Sequence, residues 1–258
     1  MLRSYTTFLS TYIQEIETRK INVIQRPHSI LLDNSSQLEI ALLNPESMAE
    51  FIPEGRGIRL IRIWEDQVIK HPEIIKSRLN SLLGQTKRIH ARETEIKKID
   101  QPVLASFLAK NHLNVPVKTK IKYGVFHEKE LVAVAAFSKA CPVDRGNRIY
   151  RSHELVRYCS LLEHTVVGGL SKVIRHFIRE HDPEDIMTYV DKEWSDGSSY
   201  EKLGFEIVEQ TGPQTFFIST DSQNRYYSIE EGRKKEGEHV EFSPIENMGN
   251  LKMIKFLI

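Results

Sequence analysis

The chain has 258 residues, 40% of them hydrophobic and 28% charged, with a formal net charge of +1. That is the composition of a globular protein, long enough for one large domain or two small ones. No stretch approaches the roughly 18–20 apolar residues that span a bilayer, so no membrane partner is expected. The opening Met1-Leu2-Arg3-Ser4-Tyr5 lacks the basic-then-apolar order of a signal peptide, and a cytoplasmic location is the expectation. Cys141 and Cys159 are too few and too far apart for a zinc site, and a reduced pair is expected with no metal. Charge is uneven: residues 101–160 hold 10 Lys/Arg against 4 Asp/Glu, and residues 161–258 hold 11 against 18. A basic strip on an acidic body attracts polyanions, nucleic acid among them.

Residues 4–19 carry apolar side chains at helical spacing. Strand-like runs follow at 29–32, 37–43 and 58–64, with Pro45, Pro53, Gly55 and Gly57 breaking regular structure between them. A helix fits 72–83, opened by Pro72 and closed by Gly84. Lys87–Lys98 reads as one strand and Gln101–His112 as a helix. The expected domains are therefore 1–95 and 96–258. In the second, Tyr123–Phe126 and Leu131–Phe137 form a hairpin about the polar turn 127–130. Strands follow at Ile149–Cys159 and Ile186–Val190, with a helix at Gly168–His181 between them. Ser198–Leu203 reads as a short helix, and Phe205–Val208 and Phe216–Ile218 as strands. Glu230–Glu241 is expected to be mobile, and Asn250–Ile258 to dock as a last strand. The fold class is α/β (α+β), a mixed sheet flanked by helices, preceded by a small α/β domain.

Two segments carry candidate chemistry. Thr165-Val166-Val167-Gly168-Gly169-Leu170-Ser171-Lys172 follows a strand and opens a helix. Unpaired N–H groups and the helix dipole favour an anion there, and two glycines let one approach the backbone. The alternative is a tight turn that needs glycine. The second segment runs from Asp191 to Phe205. It places a carboxylate at a strand end, then a polar loop with Trp194, then a short helix with Tyr200, closed by Gly204. Asp191 and Tyr200 can converge on one cleft. Trp194 is the better of the two tryptophans for stacking on a base, Trp64 reading as core.

Tyr200-Glu201-Lys202-Leu203-Gly204-Phe205 resembles the Tyr-x-Lys-x-Gly-Phe of the GNAT acyltransferase superfamily, and the resemblance covers about 120 residues. It implies an opening between two central strands and acetyl-CoA or another acyl-CoA bound against the 165–171 loop. It also implies that Tyr200 donates a proton to the leaving thiolate. The loop departs from the family's Gln/Arg-x-x-Gly-x-Gly/Ala: either frame, Thr165 to Leu170 or Val166 to Ser171, lacks the basic or amide residue. His153-Glu154-Leu155-Val156-Arg157, the Gly168–Lys172 run and Tyr189-Val190-Asp191 look like phage Mom-type DNA-modification proteins and the C-terminal domains of phage homing-endonuclease-like proteins. That resemblance implies Arg157, Ser171, Asp191 and Tyr200 as functional residues and DNA or RNA as a partner.

Gly57–Asp66, Lys76–Leu79 and Ile89–Arg92 look like the end of a very-short-patch-repair nuclease domain of the PD-(D/E)xK class. Leu31 and Leu42 fall where its metal-binding carboxylates would stand, so this half reads as a degenerate nuclease without its metal. Arg59, Arg62, Lys76, Arg78, Lys87, Arg88 and Arg92 are its candidate nucleic-acid contacts, ordinary surface charge being the alternative. Two functions are thus expected: a GNAT-like N-acyltransferase or related nucleobase-modifying enzyme, or a non-catalytic nucleic-acid-binding protein.

Overall fold

A computed structural model describes residues 2–18, 21–25, 29–33, 38–45, 58–114, 117–146 and 148–257. Pro53, Gly55 and Gly57, and the side chains of Tyr5 and Asp33, lie outside the described part. In chain order the first elements are α1 (Leu2–Thr18), β1 (Asn22–Gln25), β2 (Ser29–Asp33), β3 (Leu38–Leu43), β4 (Arg59–Trp64), α2 (Glu65–Lys70) and α3 (Pro72–Leu82). Next come β5 (Lys87–His90), β6 (Glu95–Lys98), α4 (Gln101–Asn111), β7 (Ile121–His127), β8 (Glu130–Phe137), β9 (Cys141–Asp144), β10 (Ile149–Ser160) and β11 (His164–Val167). Then follow α5 (Gly169–His181), β12 (Asp185–Asp191), α6 (Ser198–Glu201), β13 (Glu206–Gln210), β14 (Thr215–Ser219), β15 (Arg225–Tyr226), α7 (Ile229–Glu236), β16 (Phe242–Glu246) and β17 (Asn250–Phe256). The fold is mixed α/β, with sheets flanked by helices. Among the described residues no helix is long and apolar enough to cross a membrane. Both cysteines are free thiols, Cys141 exposed and Cys159 buried.

The chain forms two compact units. One comprises residues 1–75, 191–196 and 211–250, the other 76–190, 197–210 and 251–258. This differs from a single cut at residue 95. The connection from β13 to β17, residues 211–250, belongs with the N-terminal unit.

In that first unit β1, β2, β3 and β4 form a sheet in that order, antiparallel except for the parallel β3–β4 pair. Strands β15, β14 and β16 form a second, antiparallel sheet. A shared core joins the two: Ala41, Leu43 and Trp64 pack with Ile218 and Ile245. Arg225 grips the buried Asp66 in a two-pronged ion pair, Nη2–Oδ1 at 2.8 Å and Nε–Oδ2 at 2.5 Å. Pairing of this geometry offsets the cost of burying the carboxylate. Helix α7 falls within the segment expected to be mobile. Ser228 caps it by accepting from Glu231 N, and Glu236 at its end accepts from Ser219, Ser222, Asn224 and Tyr226.

In the second unit the main sheet runs β13-β17-β12-β10-β8-β7-β6, with β9 paired to β10. Strand β8 is buried on both faces, which is why its sequence is an unbroken apolar run. Ala133, Ala135 and Phe137 pack with Val173, Ile174 and Phe177 of α5, and the Phe137 and Phe177 rings stack at 3.9 Å. Val134 and Ala136 pack with Leu104, Phe107 and Leu108 of α4 on the other face. The run expected as a single strand from Lys87 to Lys98 is two strands on two sheets. A tight turn at Ala91–Glu93 divides them, with Thr94 N and Oγ1 both bonded to Ala91 O.

The β7–β8 turn sits on Glu128 and Lys129, with φ of 48° and 71°. Both lie in the left-handed region, as this two-residue turn requires, and neither is glycine. A side chain there costs about 1–2 kcal/mol, while glycine's extra chain entropy costs about 0.5–1 kcal/mol. Lys129→Gly is therefore expected to stabilise the protein by roughly 0.5–1 kcal/mol in chemical denaturation.

Candidate functional site

The site forms where two parallel strands of the second unit part. Strands β10 and β12 pair only over Ser152–Glu154 and Asp185–Met187. Beyond this β10 continues against β8 to Ser160, with a bulge between Leu155 and Arg157. At the point of parting, the Thr188 hydroxyl of β12 donates to Leu155 O at 2.9 Å, in place of a ladder bond.

Tyr200 stands beside Thr188, and Tyr158 follows the bulge on β10. Tyr158 projects from β10 into the core shared with α5. Its Oη is buried and has no hydrogen-bond partner among the described residues. Burial raises its pKa well above the ordinary tyrosine range; Ser160 lies nearby and offsets part of this without meeting hydrogen-bond geometry. Tyr200 comes from α6. Burial raises its pKa too, and the neighbouring Thr188 hydroxyl opposes the shift. Tyr158 also feels the charge that Tyr200 would carry if ionised. Both phenols are thus held protonated at neutral pH.

The local fold of Tyr200–Phe205 follows from helix termination. Phe205 N donates to Tyr200 O at 3.1 Å and Gly204 N to Glu201 O at 2.8 Å. Gly204 has φ of 81°, and the Tyr200 and Phe205 rings meet edge-on at 5.5 Å. This is a Schellman C-cap with its hydrophobic contact. Glycine supplies the left-handed residue, and the two aromatics are the pair that the motif brings together.

The third part is the start of α5. Thr165, Val166 and Val167 lie on β11, which pairs in parallel with β5. Gly168, at φ 76°, turns the chain into the helix without a side-chain cap. Lys172 N, bonded to Gly168 O at 2.9 Å, is the first N–H of the helix with an acceptor inside it. The N–H groups of Gly169, Leu170 and Ser171 precede it. A Cβ on Gly169 would collide with Tyr158 Oη and lie 2.8–2.9 Å from the Val166 side chain. The phenol thus sits against the first residue of the helix. Overpacking of this kind costs about 1–3 kcal/mol and outweighs alanine's helix advantage of at most ~1 kcal/mol. Gly169→Ala is expected to lower stability by about 1–2 kcal/mol in denaturant titration.

Other residues singled out from the sequence lie elsewhere. Leu170 packs against the core. Lys172 Nζ is bound to the carbonyls of Ala91, at 2.8 Å, and Thr94, so it braces a turn. Ser171 is half-buried in the first turn of α5. Arg157 is two residues before Cys159 on β10, and Cys159 packs with α4, so strand alternation puts Arg157 on the sheet face opposite Tyr158. His112, driven down to about 3 by burial and by the Arg78 and Arg157 charges, marks that face.

Asp191 groups with the first unit, and its Oδ1 accepts from Glu193 N at 2.9 Å. Its carboxylate caps a loop. Trp194 is 4% exposed and presents no open ring for stacking. Arg59 donates to Trp194 O at 3.0 Å, and Arg62 is half-buried. Lys76 and Arg78 are half-buried on α3, whereas Lys87, Arg88 and Arg92 are exposed. Among the described residues no group of three His, Cys, Asp or Glu could hold a metal. Sequence reasoning missed Tyr158 and Thr188. Both stand in strands where a hydroxylated core residue reads the same as a functional one.

No family model matches this sequence, and no curated protein does. Among solved structures it is similar to the IAA acetyltransferase from Bacillus cereus, at 12% identity and a TM-score of 0.37, covering 64% of this chain and 99% of that one. It is similar to the histone acetyltransferase HPA2 and related acetyltransferase from Corynebacterium glutamicum, at 13% identity and a TM-score of 0.41, covering 64% and 97%. A GNAT family acetyltransferase from Elizabethkingia anophelis with acetyl-CoA bound is similar at 11% identity and a TM-score of 0.37, covering 64% and 99%. Such low values carry no argument about the chemistry of this chain.

Proposed function

We propose that the second unit is a GNAT-like acyltransferase domain that uses acetyl-CoA or another acyl-CoA. The observation that carries this reading is the orphaned, buried Tyr158 Oη against Gly169, beside the uncapped N-terminus of α5 and across from Tyr200. An unpaired buried hydroxyl costs free energy unless a ligand pairs with it. A glycine whose Cβ would fill the same space keeps that position open.

The residues present fit such a group. The N–H groups of Gly169, Leu170 and Ser171 suit its pyrophosphate, through hydrogen bonds and the helix dipole. This offsets the absence of a basic or amide residue in the loop. When bound, acyl-CoA supplies an activated acyl group and a thiolate leaving group. Tyr200 Oη holds the proton that the thiolate requires, with the Thr188 hydroxyl beside it. Tyr158 Oη offers its O–H to an anionic oxygen.

Calorimetry with acetyl-CoA tests the reading. Micromolar binding is expected, lost in Gly169→Val; no binding to any acyl-CoA by the intact protein would overturn it. Nucleic acid is not part of this proposal. Of the basic residues assigned to it, Arg59 is engaged at Trp194 O, and the exposed Lys87, Arg88 and Arg92 form a short run on the other unit.

A further inference from the structure

The bulge in β10 opens onto a cleft on the second unit. Its volume is about 610 Å³, and Val117, Lys118, Thr119, Lys120, Ser138, Lys139 and Val156 line it. Val156 is the residue at the bulge, where β10 leaves its register with β8. Ser138 is fixed there: its Oγ accepts from Glu154 N and donates to Lys139 O, both at 2.8 Å. Lys118, Lys120 and Lys139 are exposed, and among the described residues none of the three has an ion pair. Three unneutralised ammonium groups on the rim of one cleft give a positive field that no carboxylate on the rim cancels. The nearby acid is Glu154 on β10; burial raises its pKa, and the Arg157 charge partly opposes that shift.

We infer that this cleft takes the acceptor of the acyl transfer, and that the acceptor is a small amine carrying two or more negative charges, on carboxylate or phosphate. The inference rests on the acyltransferase reading of the same domain. Volume sets the size class, since clefts of about 300–1,000 Å³ hold single small molecules. Charge sets the chemistry, since lysine ammonium groups bind carboxylate or phosphate as point charges. The cleft opens at the bulge in β10, the strand that also carries Tyr158. The apolar Val117 and Val156 are left to contact the carbon skeleton of the acceptor.

The test titrates the full-length protein with Asp-Asp dipeptide, O-phosphoethanolamine, glycinamide and cadaverine, without and with acetyl-CoA, following backbone amide shifts by NMR. The expected result is shifts at Lys118–Lys120, Ser138–Lys139 and Val156 with one or both anionic amines only, at least tenfold tighter than with glycinamide. The dipeptide and phosphoethanolamine arms separate carboxylate from phosphate recognition. Lys120→Gln with Lys139→Gln is expected to weaken that binding at least tenfold and leave acetyl-CoA binding unchanged. Equal binding of neutral or cationic amines, or no effect of the double substitution, overturns the inference. So does an oligonucleotide that occupies the same residues more tightly than either anionic amine. Acetyl-CoA binding is read separately, so loss of the acyltransferase reading and loss of the acceptor class give different results.

Discussion

Tyr200→Phe is expected to lower kcat for acyl transfer by about 10²–10³-fold, with the KM for acyl-CoA changed less than about threefold. The ring is the structural half of the residue. It packs edge-on against Phe205 and closes the Schellman cap, and phenylalanine keeps both roles. On the proposed function the hydroxyl is the chemical half, and phenylalanine removes only that hydroxyl and its proton. Tyr158→Phe completes the argument because its effects have opposite signs. Its Oη is buried without a partner, so removing it is expected to stabilise the protein by about 1 kcal/mol while activity or acyl-CoA affinity falls at least tenfold. A purely structural hydroxyl would give neither that gain nor that loss. Steady-state kinetics and denaturant titration of the two variants decide it. Unchanged kcat in Tyr200→Phe would remove Tyr200 from the chemistry and leave it as a helix cap.

The six residues from Tyr200 to Phe205 were legible because a Schellman cap is local. Its hydrogen bonds, its left-handed glycine and its aromatic contact all lie within one short segment. The hairpin about residues 127–130 and the amphipathic helix α5 were legible for the same reason: turn chemistry and periodicity are properties of a window. Asp191 shows the limit. A carboxylate just after a strand reads alike whether it serves a cleft or caps the next turn, and here it caps. Trp194 sits in a polar stretch, but burial depends on neighbours far away in sequence. Arg225 and Asp66 are 159 residues apart, and only that ion pair and its surrounding core reveal that residues 211–250 belong with the first unit. Helix α7 was hidden by its own charge. Its hold on the unit comes from Glu236, whose carboxyl is drawn down to about 2 by bonds from Ser219, Ser222, Tyr226 and Asn224 that outweigh the opposing effect of burial.

The second large effect concerns the first unit and has no connection to acyl transfer. Glu193 is 2% exposed, and its Oε1 accepts from Trp64 Nε1 at 2.7 Å. Burial, then the Asp191 charge, raises its carboxyl to about 7; the Trp64 bond and the Arg225 and Arg62 charges only partly oppose this. The folded state therefore keeps a proton that the unfolded chain releases near 4.5. Below that pH both states are protonated and no penalty applies. Between about 4.5 and 7 the unfolded state ionises first, so stability falls as pH rises, by roughly 1.4 kcal/mol per unit and on the order of 3 kcal/mol in all. Glu193→Gln keeps an acceptor for the indole and carries no charge. Its unfolding free energy is expected to lack this slope and to exceed the parent's by roughly 2–3 kcal/mol at pH 8. Urea titrations at pH 5, 6.5 and 8 give the measurement. Trp64 and Trp194, the chain's two tryptophans, both lie in this unit, so their fluorescence reports its unfolding alone. Parallel curves for parent and variant would place the Glu193 carboxyl at its ordinary acidity. A parent slope absent from the variant would identify one buried carboxyl as the reason the unit is held more firmly in mild acid than at pH 8.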